Sequence, residues 1–510
     1  MKKLFSNRRT ILKAGVALGG LSTGLRAFAA TSNLPKPLSA AEVKVAFNQG
    51  LFTLSDYVKS LINKANTAKE LNAITFLNAD AALASAKKLD DKKSKNEKLG
   101  PLAGVVLVVK DNINVKGTAT TGASTALKNF YPAQNASIIQ KLIDADAIVL
   151  AKTNLHELAF GITSTNPTFG FVKNPYDTSK ISGGSSGGTA AAVAAGITPV
   201  GLGTDTGGST RVPAALCGIA GMRPSVGNGG KDRRYSGEGV LPISHTRDTI
   251  GVMASSVQDI ALLDGFLNNE DAAEIIDLKG VRIGIPKEYF WSPLDTEVEK
   301  ISSMALAKLK AAGAEIVEAN LNGIGDLNNK ISFPIALYEG YQDITRFLSD
   351  QKTNVSIDQL IEKIQSPDVK GAMGAAKTFP KEVYEAAMQT FRPQLQKLYA
   401  DYFKSNNVDV ILYPTTPIAA TIIDPSFSGA ASINGAAQPG GPNAQFGTFI
   451  RNTDPSSNAG IPGLSIPAGL NAAGLPVGIE IDGPLGSDKK LISIGLAIEK
   501  VLGRLPEPAL

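Results

Sequence analysis

Residues 182–230 are dominated by Gly, Ser and Thr, and no other stretch limits the folding options of this chain so strongly. Two clusters stand out: Ser182-Gly183-Gly184-Ser185-Ser186-Gly187-Gly188, and Gly201-Leu202-Gly203-Thr204-Asp205-Thr206-Gly207-Gly208-Ser209. The Ala-rich stretch Thr189–Ala195 between them predicts a short buried helix. Small residues let backbone approach a ligand closely, and successive amides can turn inward to hold an anion. A serine closing such a run can have its own N–H and those of its neighbours aimed at a developing oxyanion. Either cluster alone reads equally well as a flexible loop. Two clusters on either side of one helix are harder to read that way.

The rest of the chain alternates between strand and helix patterns. Leu102–Val109 is a β-branched run suited to a buried strand, and it stops at Lys110-Asp111-Asn112. Ala136–Ala145 predicts a helix and Ala147–Ala151 a second buried strand. Upstream, Leu38–Ala68 reads as helical, with Ser39 and Ser55 placed as N-caps. Ala79–Leu89 is a further helix that runs into the charged stretch Lys87–Lys98, a solvated helix end and loop. The alternation predicts the α/β class: an α/β/α sandwich around a large mixed, mainly parallel sheet. A more polar section at about 294–407 predicts a helical insertion or cap. Val408–Tyr413 returns to strand character, and Pro425–Gly447 reads as a long loop of the kind that binds ligand or covers a site.

Charge is unevenly placed. The formal net charge is +5, yet Lys2, Lys3, Arg8, Arg9, Lys13 and Arg26 all precede Ala30 with no acid among them. The remainder is near neutral, which gives no electrostatic reason to expect a nucleic-acid partner. Arg8-Arg9-Thr10-Ile11-Leu12-Lys13 resembles the twin-arginine export motif. A mildly apolar run, Ala14–Leu25, follows it, and then Ala27-Phe28-Ala29 forms a cleavage pattern. The expectation is a signal peptide over residues 1–29, cut near Ala29/Ala30, and a periplasmic or secreted domain over residues 30–510. The run is shorter than the ~20 residues a spanning helix needs, and no later stretch is long and apolar enough.

The scarce residues narrow the chemistry. With only His156, His245 and Cys217, a metal site built from His and Cys is not expected. Cys217 lies among Ala214, Ala215, Leu216, Ile219 and Ala220 and reads as a buried, inert thiol. A serine nucleophile needs a base, and histidine is too rare to supply it. Lys110, at the end of an apolar strand, is the candidate, because desolvation there lowers its pKa. Gly184–Gly188 also matches G-x-S-x-G, with Asp205 and His245 in hydrolase-triad order. The segment before it, Asn174–Lys180, reads as a turn-rich loop and not as the strand that motif requires.

Together these residues resemble the amidase-signature family. The likeness is carried by Val108-Val109-Lys110-Asp111-Asn112, the Gly183–Gly188 cluster, and the run from Gly201 through Ser209 to Thr210-Arg211. It continues through Pro213, Cys217-Gly218 and Gly221, and returns in Ala459-Gly460-Ile461-Pro462 and Leu475-Pro476-Val477-Gly478. The resemblance implies that family's fold and a Ser–Ser–Lys mechanism with Ser209 as acylated nucleophile, Ser185 as bridging serine and Lys110 as base. It places oxyanion donors at Thr206, Gly207, Gly208 and Ser209, with Ser186, Asp205 and Arg211 supporting the site and no cofactor or metal required. Arg211–Cys217 and Val240–Thr249 look like the indoleacetamide and mandelamide hydrolase branch, which implies a small primary arylacetamide as substrate. Gly251-Val252-Met253 departs from that branch, where proline is common in the middle. The alternatives are a peptide amidase, an amidotransferase A-subunit-like protein, or an inactive binding protein. Export argues against the amidotransferase, whose partners are cytoplasmic. The expected partners are a small-molecule amide and the twin-arginine export machinery, with the chain a monomer or homodimer.

Overall fold

The computed structural model describes residues 38–509, so the expected signal at residues 1–29 lies outside the described residues. Eleven strands form one sheet: β1 Ile74–Leu77, β2 Val106–Lys110, β3 Ile148–Thr153, β4 Val200–Asp205, β5 Ala220–Arg223, β6 Thr249–Ala254, β7 Arg282–Ile285, β8 Glu315–Glu318, β9 Val410–Pro414, β10 Gly463–Leu470 and β11 Pro476–Asp482. Their spatial order is β1-β3-β2-β4-β6-β5-β10-β11-β9-β7-β8. The mixed sheet expected from the sequence is present. Its parallel pairs form two blocks, β3-β2-β4 and β9-β7-β8, and the strands between those blocks pair antiparallel.

Both faces of the sheet are covered, and β2 shows why its residues are apolar without interruption. Leu107 and Val109 join the core built around Ile139, Ile260 and Ile498 on one face. Val106 and Val108 join the other, with Leu61, Leu150 and Ala191. A strand buried on both faces has no solvent side to mark with polar residues.

Gly201 and Gly203 of the second cluster are strand, not loop, and Gly207 and Gly208 lie in the turn that follows. β4 runs from Val200 through Asp205 in the interior of the sheet. Helix α3 (Gly187–Ala194) lies directly on it; α1 (Ala40–Asn48) and α2 (Leu54–Thr67) precede it in the chain. A Cβ at Gly201 would sit 2.6 Å from the Thr189 methyl, and one at Gly203 would sit 2.8 Å from Ser186 Oγ. Small side chains there bring the helix down onto the strand.

Other expectations shift at their edges. Ser39 caps α1 in a full capping box, but the helical stretch breaks at Gly50 and the second cap is Thr53, with Ser55 inside the first turn. Helix Ala79–Ser94 extends well into the charged run. The turn-rich segment before Ser182 is a two-stranded hairpin, Lys173–Asn174 with Asp177–Ile181, separate from the main sheet. The 294–407 section is mostly helical, including α4 (Ile324–Asp350) and α5 (Pro367–Lys377), yet β8 within it pairs in parallel with β7 and finishes the sheet edge. The long loop holds a short hairpin at Ser432–Ala437 and ends in the helix Ala444–Ile450. Among the described residues no helix is long and apolar enough to cross a membrane.

Candidate active site

Lys110 ends β2 on the face that carries Val106 and Val108, so its side chain extends toward the start of α3. It is fully buried. Its Nζ lies 2.8 Å from Ser185 Oγ, 2.7 Å from Thr204 Oγ1 and 3.4 Å from the Thr204 carbonyl oxygen. Thr204 Oγ1 also accepts from Asn112 Nδ2 at 3.1 Å. Burial pushes the Lys110 ammonium down to about 7, against the pull of Asp205 and Asp248. Ser185, fully buried and following a cis Gly184–Ser185 peptide bond, meets a lysine that burial pushes toward its neutral form.

Ser209 reaches the same place from the end of β4. The Ser186 N–H donates to the Ser209 carbonyl at 3.2 Å, which locks the two small-residue clusters together. Ser186 Oγ donates to the Thr204 carbonyl at 3.2 Å. The Ser209 hydroxyl itself makes no hydrogen bond among the described residues and opens onto a pocket. Lys110 and Ser185 are therefore hydrogen-bonded, while Ser209 stands beside them with its hydroxyl free.

A buried charge cluster shapes the turn between β4 and Ser209. The Asp205 carboxylate accepts the N–H of Gly208 at 2.9 Å and of Thr210 at 3.1 Å, the Arg211 guanidinium in a two-point contact, and Arg223 Nη1 at 3.1 Å. Burial raises the Asp205 carboxyl, but Arg211 and Arg223 beside it reverse that and hold it well below the usual carboxylate range. Arg211 is held in turn by Ser456, Ser457 and Glu480. The N–H of Gly208, expected among the oxyanion donors, is directed here at the Asp205 carboxylate, a charged acceptor. The amides of Thr206, Gly207 and Ser209 meet no acceptor among the described residues. Gly208 has φ +137°, and a Cβ there would lie 2.1 Å from Thr453 Oγ1, so the turn requires glycine.

The pocket in front of Ser209, Thr206 and Gly207 is walled by Phe160, Ile162, Ile243, Phe333, Leu337 and Phe446. Phe333 and Leu337 come from α4, within the 294–407 section. The remaining sequence candidates lie apart from the chemistry. Cys217 is buried and its thiol is pushed up by that burial. Asp205 serves Arg211, and His245 Nδ1 lies 2.9 Å from Asp343, so the G-x-S-x-G triad order assembles no triad. His245, Glu339 and Asp343 do gather three ligand-type atoms within 4.8 Å of one another. The Glu339 carboxylate is already occupied by Ser244, Thr246 and Tyr384, which makes this cluster a hydrogen-bonded latch. Sequence reasoning did not single out Thr204 and Asp248, although Thr204 stands inside the second cluster. Asp248 accepts from Thr206 Oγ1 at 2.6 Å and fixes that residue from a different strand end.

The family model described as Amidase matches residues 56–492. The chain belongs to the amidase family. It is similar to an indoleacetamide hydrolase of Agrobacterium vitis, 41% identical over 458 residues that cover 88% of this chain and 94% of that one. It is also similar to a mandelamide hydrolase of Pseudomonas putida, 39% identical over 489 residues, with 92% of each chain covered. Among solved structures, a crystal structure of an amidase superposes with TM-score 0.80 at 30% identity, covering 91% of this chain and 100% of that one. The peptide amidase of Stenotrophomonas maltophilia follows the same fold with TM-score 0.75 at 27% identity, over 92% and 98% of the two chains. This amidase is thus an amide hydrolase of the α/β class.

The charge cluster generates a stability prediction. Asp205→Ala leaves Arg211 and Arg223 buried without their shared counter-charge, and removing one partner of a buried pair costs about 3–5 kcal/mol. Urea unfolding should show that loss as a lowered midpoint; a change below ~1 kcal/mol would contradict the role assigned to Asp205.

Proposed function

We propose that this amidase hydrolyses a small, aryl-substituted primary amide to a carboxylate and ammonia through a Ser–Ser–Lys relay. The observation that carries this reading is the contact of fully buried Lys110 with Ser185, 2.8 Å away, beside a Ser209 hydroxyl that faces an apolar, aromatic-walled pocket. A neutral lysine has two N–H donors and one lone pair. Thr204 Oγ1 and the Thr204 carbonyl take the donors, which leaves the lone pair for the Ser185 hydroxyl.

In the forward step Lys110 takes the Ser185 proton as Ser185 takes that of Ser209, and Ser209 Oγ bonds to the amide carbon. A rotation about the Ser209 side-chain bond brings its hydroxyl to Ser185, since such contacts tighten only with substrate bound. The charge that forms on the carbonyl oxygen faces the free amides of Thr206, Gly207 and Ser209; losing one such donor typically costs ~2.7–4 kcal/mol. The relay then returns a proton to nitrogen, the C–N bond breaks, and ammonia leaves. Water attacks the Ser209 ester by the reverse route and releases the carboxylate. The names of the relatives, an indoleacetamide hydrolase and a mandelamide hydrolase, support an aryl acyl group. So do Phe160, Phe333 and Phe446 around the pocket.

Ammonia release from arylacetamides, aliphatic amides and C-terminally amidated peptides tests the reading. Arylacetamides should turn over best, and Ser209→Ala should lower kcat by roughly 10⁴-fold or more. Because the base must be neutral, kcat/KM should fall as pH drops through about 7 and level off above it. Activity that survives in Ser209→Ala, or a best substrate among the peptide amides, would overturn the mechanism or the substrate class respectively.

We further propose export through the twin-arginine machinery, on the strength of Arg8-Arg9 and the apolar run behind them. Replacing both arginines by lysine should leave the activity in the cytoplasmic fraction; unchanged periplasmic activity would exclude that route.

A further inference from the structure

Three carboxylates line the pocket in front of Ser209: Asp368, Asp424 and Asp454. Two of them are fully occupied. Asp454 is buried against Arg247, Asn328 and Asn458. Asp424 accepts from the backbone and hydroxyl groups of both Ser426 and Ser428. Asp368, in the first turn of α5, differs. Its Oδ1 accepts the Val369 N–H at 2.9 Å, and its Oδ2 lies 3.0 Å from His156 Nε2. A carboxylate has about four acceptor positions, so Asp368 keeps acceptor capacity toward the pocket. Its side chain is 40% exposed.

Its placement is built, not incidental. The His156 ring is 2% exposed, and the Ser164 N–H points at its Nδ1 from 3.2 Å. That ring nitrogen must accept, so the ring hydrogen sits on Nε2, the atom that approaches Asp368 Oδ2 to 3.0 Å as an electrostatic contact. Gly161 leaves room for the ring: a Cβ there would fall 2.2 Å from Nε2. The loop that wraps the imidazole, Phe160 to Thr163, is itself pocket wall. The buried histidine therefore fixes a carboxylate at the edge of the cavity and leaves lone pairs for an occupant.

We propose that Asp368 is a specificity-determining residue that accepts a hydrogen bond from an N–H or O–H group on the aryl ring of the substrate, as an indole-type N–H would supply. This rests on the aryl-amide reading above. A ring without a donor strips water from the carboxylate and returns nothing, whereas a ring with one gains a charge-assisted bond. Discrimination follows from the unpaired acceptor in the one case as much as from the bond in the other.

The test compares indole-3-acetamide with benzothiophene-3-acetamide, which is nearly the same shape and has no ring N–H. The parent enzyme should favour the indole about 10- to 100-fold in kcat/KM. Asp368→Leu should bring the ratio to about one, by lowering the indole value and raising the benzothiophene value, and Asp368→Asn, which keeps a carbonyl acceptor, should restore part of it. A purely structural role would lower both substrates together and leave the ratio standing. That result overturns the inference, as does a parent ratio near one with both substrates hydrolysed. If the parent hydrolyses neither, the aryl-amide reading itself fails and takes this inference with it.

Discussion

Burial of the Lys110 ammonium is the constraint on which the rest of the site depends. An ammonium removed from water is costly unless it is paired or loses its proton. Here the nearest atoms are hydroxyl and carbonyl oxygens of Ser185 and Thr204, and no carboxylate touches it. The lysine is therefore pushed toward its neutral form. Its partners are fixed by sheet register: β2 pairs with β4 in parallel as Val108 with Gly201 and Val109 with Leu202, so the lysine at the strand end emerges beside Thr204. The glycines of β4 then matter because they let α3, and with it Ser185 and Ser186, settle against that strand. A bulky residue at Gly203 would push Ser186 away from Thr204, and with it the serine next to it that meets the lysine.

The second support is the charge cluster under the turn that carries Ser209. Asp205, Arg211 and Arg223 are all fully buried. Their mutual contacts hold the backbone from Asp205 to Arg211 in one shape, with Gly208 tied inward and its neighbours' amides left free. Such a cluster gives little net stability over a well-packed apolar core. What it supplies is a rigid turn, which is what the proposed stabilisation of a developing oxyanion would require. The section at 294–407 plays a different part. It contributes Phe333, Leu337 and Asp368 to the pocket in front of Ser209.

Much of this was legible in the residues. Leu102–Val109 announced a buried strand, which starts at Val106 after a turn, the two small-residue clusters announced a tightly packed site, and the scarcity of histidine drew attention to Lys110, now the proposed base. The misreadings have physical causes. Glycine signals loop when read locally, yet Gly201 and Gly203 are strand residues because a helix rests on them, a contact no local pattern reveals. Thr204 was inside a quoted cluster, but its bond to Lys110 joins residues 94 positions apart. Asp368 meets His156 across an even longer span of chain, and Glu480 reaches Arg211 over 269 positions. Strands β7 and β8 escaped notice because four-residue strands at a sheet edge carry too few apolar positions to stand out among helices.

The measurement that bears most directly on this account is the titration of Lys110 itself, followed through the ε-carbon chemical shift in protein labelled at lysine and assigned by the Lys110→Arg variant. The account requires one lysine signal that titrates near 7, far below the ordinary lysine value of about 10.4. A Lys110 signal that stays charged up to about pH 10 would contradict it, because an ammonium cannot take a proton from Ser185.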